Sequence, residues 1–213
     1  SNHPFLNRVV DGLYTPGSIM KVFVAMGVLE ENVIDPRKQI LSTGSITIPN
    51  PFFPDKPSVF VDWKAHGLVD LRRALAVSSN VYFYEVSGGY KSQKGIGIEN
   101  IEKYSRLFGF GTTTGIYFPG EKSGTIPSPE WKKTTFKGDD WRIGDTYNTS
   151  IGQYGYQVSP IQVARAYGGV ATNGNLVTPT LLKVESPSEV KSQKVSIDIE
   201  DDSYKIVKEG MRM

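Results

Sequence analysis

Two short motifs of this 213-residue chain contain side chains that could do acyl-transfer chemistry. The first is Ser18-x-x-Lys21, in the stretch TPGSIMK at residues 15–21. On a helix, residues i and i+3 lie on one face, so the lysine amine would hang beside the serine hydroxyl. Burial and the positive end of a helix dipole both disfavour a charged amine, so Lys21 could be a neutral base for Ser18. An unpaired backbone N–H at the helix start would supply half of an oxyanion hole.

This pairing also has an ordinary explanation. A serine near a helix start and a lysine that extends its amine to water are both common. The same spacing occurs at Ser188 and Lys191, in a polar loop for which we expect no role. The first motif alone therefore leaves a catalytic pair and a plain helix start both open.

The second motif is Ser78-x-Asn80, the only Ser-x-Asn in the chain. A serine hydroxyl at this place could relay a proton between Lys21 and a leaving group. An asparagine amide can hold a lysine and also bind a substrate carbonyl. The alternative is a serine that caps the helix that follows it.

Helices are expected to position both motifs. Residues 17–34 are apolar almost all round and begin after Thr15 and Pro16, which predicts a buried central helix. Residues 69–89 predict two helices with a polar break at 78–80. We expect Asp70 to cap the first of these, and Gly88-Gly89 to end the second.

The rest of the chain predicts a mixed α/β architecture without internal repeats. Further helices are expected at 97–111, 159–174 and 201–213, and short strands at 58–62, 115–118, 178–185 and 194–199.

Composition excludes several functional classes. The formal charge is +2, and the 24 basic residues are scattered among 22 acidic ones, which gives no basic face for nucleic acid. The absence of cysteine excludes disulfides, a thiolate nucleophile and a cysteine-containing zinc site. No stretch approaches the roughly 18 apolar residues of a transmembrane helix, so any anchor or signal is expected outside these residues.

Together the motifs resemble the penicillin-recognising serine acyltransferases, in which Ser-x-x-Lys is followed by Ser-x-Asn and then by Lys-Thr/Ser-Gly. The first two motifs stand 60 residues apart here. The stretches VDWKAHG, GFGTTTGIYFPGEKSGTIPSPEWK and NTSIGQYGYQVSPIQVARAYGGVATNG resemble the class B high-molecular-weight penicillin-binding proteins. Among these, the similarity is greatest to penicillin-binding protein 2 of the rod-elongation machinery. It covers residues 3 to about 183 and 204–213.

The resemblance implies a peptidoglycan D,D-transpeptidase that cross-links stem peptides. Ser18 would be the acylated nucleophile and Lys21 its base. Ser78 would pass the proton to the departing D-alanine, and Asn80 would orient Lys21 and the substrate amide. Peptides ending in D-Ala-D-Ala would be substrates, β-lactams would acylate Ser18, and no metal or organic cofactor is implied. The resemblance also implies a SEDS-family glycan polymerase as partner, and a catalytic domain on the periplasmic side of a bacterial membrane.

A third motif is expected beyond the supplied residues. The letters Lys122-Ser123-Gly124 fit it, but they stand only 44 residues after Ser78 and precede the SIGQYGYQVSP segment, so we interpret them as a solvated turn. The true motif is expected after Met213. We therefore predict a partial transpeptidase domain over 1–213, with a helical lobe packed on an antiparallel sheet that is only partly present. The anchor, the pedestal domain and the first strands of the sheet are expected upstream.

Other conspicuous residues receive plainer interpretations. Asp62 and His66 resemble part of a metal site of some relatives, but Ser79 stands where those have cysteine, so no zinc is predicted. His66 is expected to be a polar residue at the surface or in a loop. The run Tyr82–Tyr84 is expected to pack in the core. For a further set, lining of the cleft and packing near the sheet edge are both open: Gln153, Tyr154 and Tyr156.

Two alternatives to the transpeptidase remain. One is a serine β-lactamase or β-lactam sensor of the same superfamily, which would need a way to activate deacylating water. The long similarity through SPEWK and IGQ argues against it. The other is a non-catalytic scaffold fragment, and the four intact motif residues argue against that.

Overall fold

The computed structural model describes residues 5–50, 53–181 and 194–213. A 3₁₀ helix at Gly17–Met20 leads directly into the first α-helix. The helices are α1 Lys21–Glu30, α2 Leu71–Ala76, α3 Asn80–Gly88, α4 Ile98–Leu107, α5 Pro129–Thr135, α6 Ile143–Ser150, α7 Pro160–Ala171 and α8 Asp201–Arg212. The strands are β1 Ile40–Ser42, β2 Ser45–Ile48, β3 Ser58–Val61, β4 Gly67–Val69, β5 Asn175–Val177 and β6 Lys194–Ser196.

The strands of the described segments form antiparallel pairs. β1 pairs with β4, β2 with β3, and β5 with β6. Ile40 lies opposite Val69 in the first pair, and both side chains point into the core. The mixed α/β architecture with antiparallel pairing is confirmed. Within the same segments, no helix combines the length and hydropathy that a membrane span requires.

Helix α1 is buried, and α3, α4 and α8 pack around it. The Phe23 ring lies 4.9 Å from those of Phe108 and Phe110 and 5.3 Å from that of Tyr167. Such edge-to-face aromatic packing stabilises a core beyond the burial of area alone. The expectation of a central buried helix is therefore confirmed.

The bounds of that helix differ from the prediction of 17–34. Thr15 does not cap it, because Pro16 occupies the N-cap position and makes no side-chain cap. At the other end Asn32 has φ 51°, while the amides of Asn32 and Val33 bond back to the carbonyls of Leu29 and Val28. This left-handed termination ends α1 at Glu30.

The two helices around the second motif are confirmed. Asp70 accepts a hydrogen bond from the Arg73 amide at 2.8 Å and so caps α2. Ser79 caps α3 by accepting from the Tyr82 amide at 3.3 Å. Gly89, with φ 84°, ends α3 as the sequence predicts.

The remaining predicted helices are present, whereas the predicted strands are only partly confirmed. The helices expected at 97–111, 159–174 and 201–213 are present as α4, α7 and α8, and β3 and β6 lie within predicted strands. The strand expected at 115–118 is wrong, because the Glu121 carboxylate takes the amides of Thr114 and Gly115 into a turn. Of the strand predicted at 178–185, residues 182–185 lie outside the described residues and 178–181 form no strand. Helix α6 was not predicted, because the apolar residues of IGDTYNTS do not recur at helical spacing.

Candidate active site

Lys21 is the first residue of α1, and its side chain joins the two motifs. Only 1% of the residue is exposed. Its Nζ donates to the Ser78 carbonyl at 2.8 Å, to Ser78 Oγ at 3.1 Å and to Asn80 Oδ1 at 2.6 Å. The amine also lies 5.6 Å from the centre of the Phe83 ring. Residues 57 and 59 positions away in sequence thus meet the lysine directly.

Burial changes the proton affinity of this amine. It lowers the pKa of Lys21 from its usual 10.5 to about 8, because desolvation disfavours the charged form, and the Asp62 carboxylate partly opposes the change. At neutral pH a useful fraction of Lys21 is therefore uncharged. A base with a pKa near the working pH is well suited to accept a proton and return it.

Ser18 lies on the 3₁₀ helix one turn before Lys21 and is exposed. Its Oγ makes no hydrogen bond to any residue that the structure describes. Together with Lys21 and Ser78 it lines a cavity of about 280 Å³. The structure thus brings Lys21, Ser78 and Asn80 into contact and places Ser18 at the open side of the same cavity.

Two contacts that sequence reasoning missed hold the turn that carries Ser18. The Gly17 amide donates to the Gly152 carbonyl at 2.9 Å. The Tyr167 hydroxyl of α7 donates to the Ile19 carbonyl at 2.8 Å. The glycines at both ends offered a weak signal for the first contact, whereas the pattern of α7 offered none for the second.

Ser78 has an unusual backbone. Its φ of 53° lies in the left-handed region, where a residue with a Cβ pays about 1–2 kcal/mol. The amides of Ser78 and Ser79 bond back to the carbonyls of Leu75 and Ala74, so Ser78 occupies the place that glycine usually takes at the end of a helix. This conformation points both the carbonyl and the hydroxyl of Ser78 at Lys21.

Asp62 and His66 lie beside the second motif. The side chains are 0% and 2% exposed, so His66 lies in a loop, as one of the two expectations had it, but its side chain does not face solvent. The imidazole is buried because it packs on the Trp63 ring at 4.9 Å and approaches Asp62 Oδ1 at 3.6 Å. The other oxygen of Asp62 accepts from the Ser79 hydroxyl at 2.9 Å.

These side chains make a poor zinc site. Structural zinc takes four thiolate, imidazole or carboxylate ligands, but here Ser42 and Ser79 present neutral hydroxyls to a carboxylate that hydrogen bonds already occupy. Burial tends to raise the pKa of Asp62, yet the bonds from the amides of Val81 and Asn80 and from Ser79 hold it below its usual value. The carboxylate is therefore charged at neutral pH.

Lys122-Ser123-Gly124 lies in a loop directly after the turn at 119–120, and Lys122 is solvated, as the sequence predicts. The Lys122 side chain is 55% exposed and lies 3.7 Å from Asp11. Gly124 has φ 71°, and a Cβ there would lie 2.2 Å from the Gln157 carbonyl oxygen. None of these three residues lines the cavity at Ser18.

The aromatic residues separate into core and surface groups. Tyr82, Phe83 and Tyr84 are at most 3% exposed, which confirms their role in packing. Tyr156 is fully buried beside Phe110, so packing is correct for it as well.

The other two residues of that set lie nearer the surface. Tyr154 stands half-buried within an aromatic cluster formed with Trp131, Phe136 and Trp141. Gln153 is exposed, next to Gly152, whose carbonyl accepts from the Gly17 amide beside Ser18.

Known proteins are similar to this chain in sequence and in fold. The chain is 33% identical to the peptidoglycan D,D-transpeptidase MrdA of Acinetobacter baumannii over 99% of its length, which is 31% of that protein. It is 37% identical to the MrdA protein of Haemophilus influenzae over 84% of its length, or 26% of that protein. The chain thus spans about a third or less of the length of these relatives.

Solved structures and a family model indicate the same type of protein as these relatives. The penicillin-binding protein PBP2 of Helicobacter pylori, solved in complex with MreC, superposes with a TM-score of 0.80. That protein is 32% identical and matches 97% of this chain and 35% of its own. The model of the penicillin binding protein transpeptidase domain matches residues 1–213. The chain therefore belongs to the penicillin-binding protein transpeptidase domain family, with relatives of the PBP2 type.

Proposed function

We propose that this chain carries the first two catalytic motifs of a peptidoglycan D,D-transpeptidase of cell-wall elongation. The observation that carries the proposal is the contact of the Lys21 amine with Ser78 and Asn80 beside the exposed Ser18. Relatives named D,D-transpeptidase across most of this chain support it. Because the chain spans about a third of those proteins, the activity of the whole protein is part of the proposal.

The first chemical step is acylation. Lys21 in its neutral form takes the Ser18 hydroxyl proton, and Ser18 Oγ forms a bond to the carbonyl carbon of the penultimate D-alanine. The negative charge on the carbonyl oxygen is stabilised by the backbone N–H of Ser18 at the start of the 3₁₀ helix.

The intermediate then collapses. The C–N bond to the terminal D-alanine breaks, and the proton held by Lys21 passes through the Ser78 hydroxyl to the departing amine. Asn80 keeps Lys21 in place and binds the substrate amide. An ester between Ser18 and the stem peptide remains.

The second step returns the enzyme to its starting state. An amine from a neighbouring strand attacks the ester carbon, its proton goes to Lys21, and Ser18 Oγ leaves and is reprotonated. A β-lactam enters at the first step as a mimic of D-Ala-D-Ala, and its opened ring stays bound to Ser18.

Location and partners follow from the same proposal. A protein that cross-links stem peptides works on the periplasmic side of the bacterial cell membrane. Proteins of the elongation complex and a SEDS-family glycan polymerase are the proposed partners. Their support is the resemblance to PBP2 proteins, one of which was solved in complex with MreC.

Intact-mass measurement after incubation with a penicillin tests the proposal. The sample is the complete product of the gene that encodes this chain, with Ser18→Ala as the matched control. One adduct of the mass of the intact antibiotic is expected in the wild type and none in the variant. The assignment of Ser18 would be refuted if the wild type stayed unmodified although circular dichroism showed it to be folded. An adduct on Ser18→Ala would also refute it.

A second assay separates cross-linking from hydrolysis. The enzyme is incubated with a synthetic peptide ending in D-Ala-D-Ala, which acylates it. A D-amino acid is added as the acceptor amine. A transpeptidase forms the exchanged peptide, whereas a hydrolase releases only the shortened acid. Exclusive hydrolysis would favour the β-lactamase or sensor alternative.

A further inference from the structure

The Asp62 carboxylate, which follows strand β3, accepts hydrogen bonds from residues at the start of α3. Its Oδ2 accepts from the Val81 amide at 3.0 Å and from the Ser79 hydroxyl at 2.9 Å. The Asn80 amide also favours the charged form of this carboxyl and helps to lower its pKa. Ser79 and Val81, on either side of Asn80, are thus held by a single carboxylate. The positive end of the α3 dipole favours an anion at this place.

Asp62 is itself rigidly placed. It follows β3, and its amide donates to the Gly44 carbonyl at 2.8 Å. Its Oδ1 accepts from the Trp63 amide at 2.8 Å. The side chain is fully buried, so its position is set by the strand pair and by its neighbours rather than by solvent.

The residues that meet Lys21 are neighbours of those that Asp62 holds. Asn80 lies between Ser79 and Val81, which both bond to Asp62, and offers its side-chain oxygen to Lys21 at 2.6 Å. Ser78 directly precedes Ser79 and contacts Lys21 through both its carbonyl and its hydroxyl. A shift of the α3 start would therefore move every hydrogen-bond acceptor of the lysine amine that the structure describes.

We propose that Asp62 is a positioning residue for acyl transfer, which holds Ser78 and Asn80 against the Lys21 amine without touching the substrate. The inference rests on the proposed function, because it concerns the rate at which Ser18 is acylated.

The charge of Asp62 gives the proposal a distinct signature. Asp62 raises the pKa of Lys21 against the larger lowering by burial. The other side chains around the amine carry no charge near neutral pH: Ser78, Asn80, Phe83, Leu75, Met211, and Tyr167, whose pKa burial raises to about 12. Removing the carboxylate should thus let Lys21 lose its proton at a lower pH.

The test is the pH dependence of acylation by a fluorescent penicillin, measured on the complete gene product. In the wild type the rate constant is expected to rise with a midpoint near pH 8, the value at which Lys21 loses its proton. Asp62→Ala should acylate roughly tenfold more slowly or worse at high pH, because charged hydrogen bonds are lost. Asp62→Asn keeps one acceptor oxygen and should recover part of that rate. Both variants should have midpoints below that of the wild type.

Controls separate positioning from simple instability. Asp140→Asn removes a carboxylate that is 84% exposed and should behave as the wild type. The proposal would be overturned if folded Asp62→Asn kept the wild-type midpoint. It would also be overturned if a variant only contained less protein that can be acylated, while that protein reacted at the wild-type rate. A wild type that is never acylated would instead refute the proposed function.

A further variant covers the case in which changes at Asp62 prevent folding. Ser79→Ala keeps the charge and removes one of the contacts to it. It should acylate several-fold more slowly with an unchanged midpoint. Acylation at the wild-type rate would overturn the positioning role.

Discussion

The amide oxygen of Asn80 lies 2.6 Å from Lys21 Nζ, the shortest of the three hydrogen bonds of that amine. This oxygen and the Ser78 carbonyl can only accept, so they take the two hydrogens of a neutral amine. The remaining lone pair then needs a donor, and a hydroxyl is the group that can supply one. The geometry therefore directs the basic electron pair of Lys21 toward Ser78 or Ser18.

Asn80→Ala should slow acylation while the fold persists. The variant deprives Lys21 of its shortest partner, and hydrogen bonds to a charged or titrating amine contribute about 1.5–3 kcal/mol, which corresponds to roughly 10- to 100-fold in rate. The rate constant for penicillin acylation measures the loss, and circular dichroism checks the fold. A folded variant that reacts at the wild-type rate would remove Asn80 from the mechanism.

Lys21→Met should change how stability depends on pH. In the wild type the folded-state pKa is about 8 and the ordinary value is 10.5, so between these values the unfolded chain binds a proton that the folded chain does not. Stability relative to the variant should therefore rise with pH over this window, by up to roughly 3 kcal/mol. Below pH 8 both states are protonated and the difference should level off.

Urea unfolding of the wild type and Lys21→Met at pH 7 and pH 10 measures this difference. The tyrosines and other lysines titrate in both proteins, so their contributions cancel in the comparison. A difference in unfolding free energy that is equal at the two pH values would contradict the lowered pKa of Lys21.

Ser78→Gly should be more stable than Ser78→Ala by about 1 kcal/mol, because only glycine adopts the left-handed backbone without a steric penalty. Both variants lose the hydroxyl and should acylate slowly. Lys137→Gly is a matched control, since Lys137 also ends a helix with φ 54° and is exposed. It should gain similar stability and keep full activity.

Thermal unfolding and acylation rates of these three variants test the strain at Ser78. Equal stability of Ser78→Gly and Ser78→Ala would show that the residue is not strained. Rapid acylation of either variant would exclude the hydroxyl as the proton shuttle.

Gly152→Ala should disturb the turn that carries Ser18. A Cβ there would lie 2.1 Å from the Gly17 carbonyl oxygen, and φ at this position is 72°. Overpacking of this kind costs about 1–3 kcal/mol in addition to the backbone penalty. Gly120→Ala has φ 86° and open space around the new methyl group, so it should show the backbone penalty alone. The prediction is wrong if the two variants acylate equally fast.

The sequence predicts those parts of the fold that local chemistry determines. Asp70, Ser159 and the glycine after α3 mark their helix ends because a cap needs only neighbouring residues. The Ser18, Lys21, Ser78 and Asn80 set was identified from spacing and resemblance. Their catalytic roles stay predictions.

What the sequence could not predict depends on distant contacts. Helix α6 has no apolar period and is held by a capping bond from the Arg142 amide to Asp145, and by Lys132 from α5. The burial of His66 results from packing on Trp63 and Asp62, whereas histidines in polar stretches usually face water. Nothing in the sequence around Tyr167 indicated its bond to the Ile19 carbonyl, next to Ser18.

The loop at 122–124 has a consequence for how related sequences are compared. Gly124 faces the Gln157 carbonyl, and the neighbouring Thr125 forms a bridge with Gln157. The Ser123 carbonyl accepts from Gln162, which also caps α7. Any homologue that keeps this backbone crossing must keep the glycine, whatever chemistry it performs. Conservation of the letters Lys-Ser-Gly at this place would therefore record a packing constraint, and an alignment that scored them as the third catalytic motif would place the active site on the wrong loop.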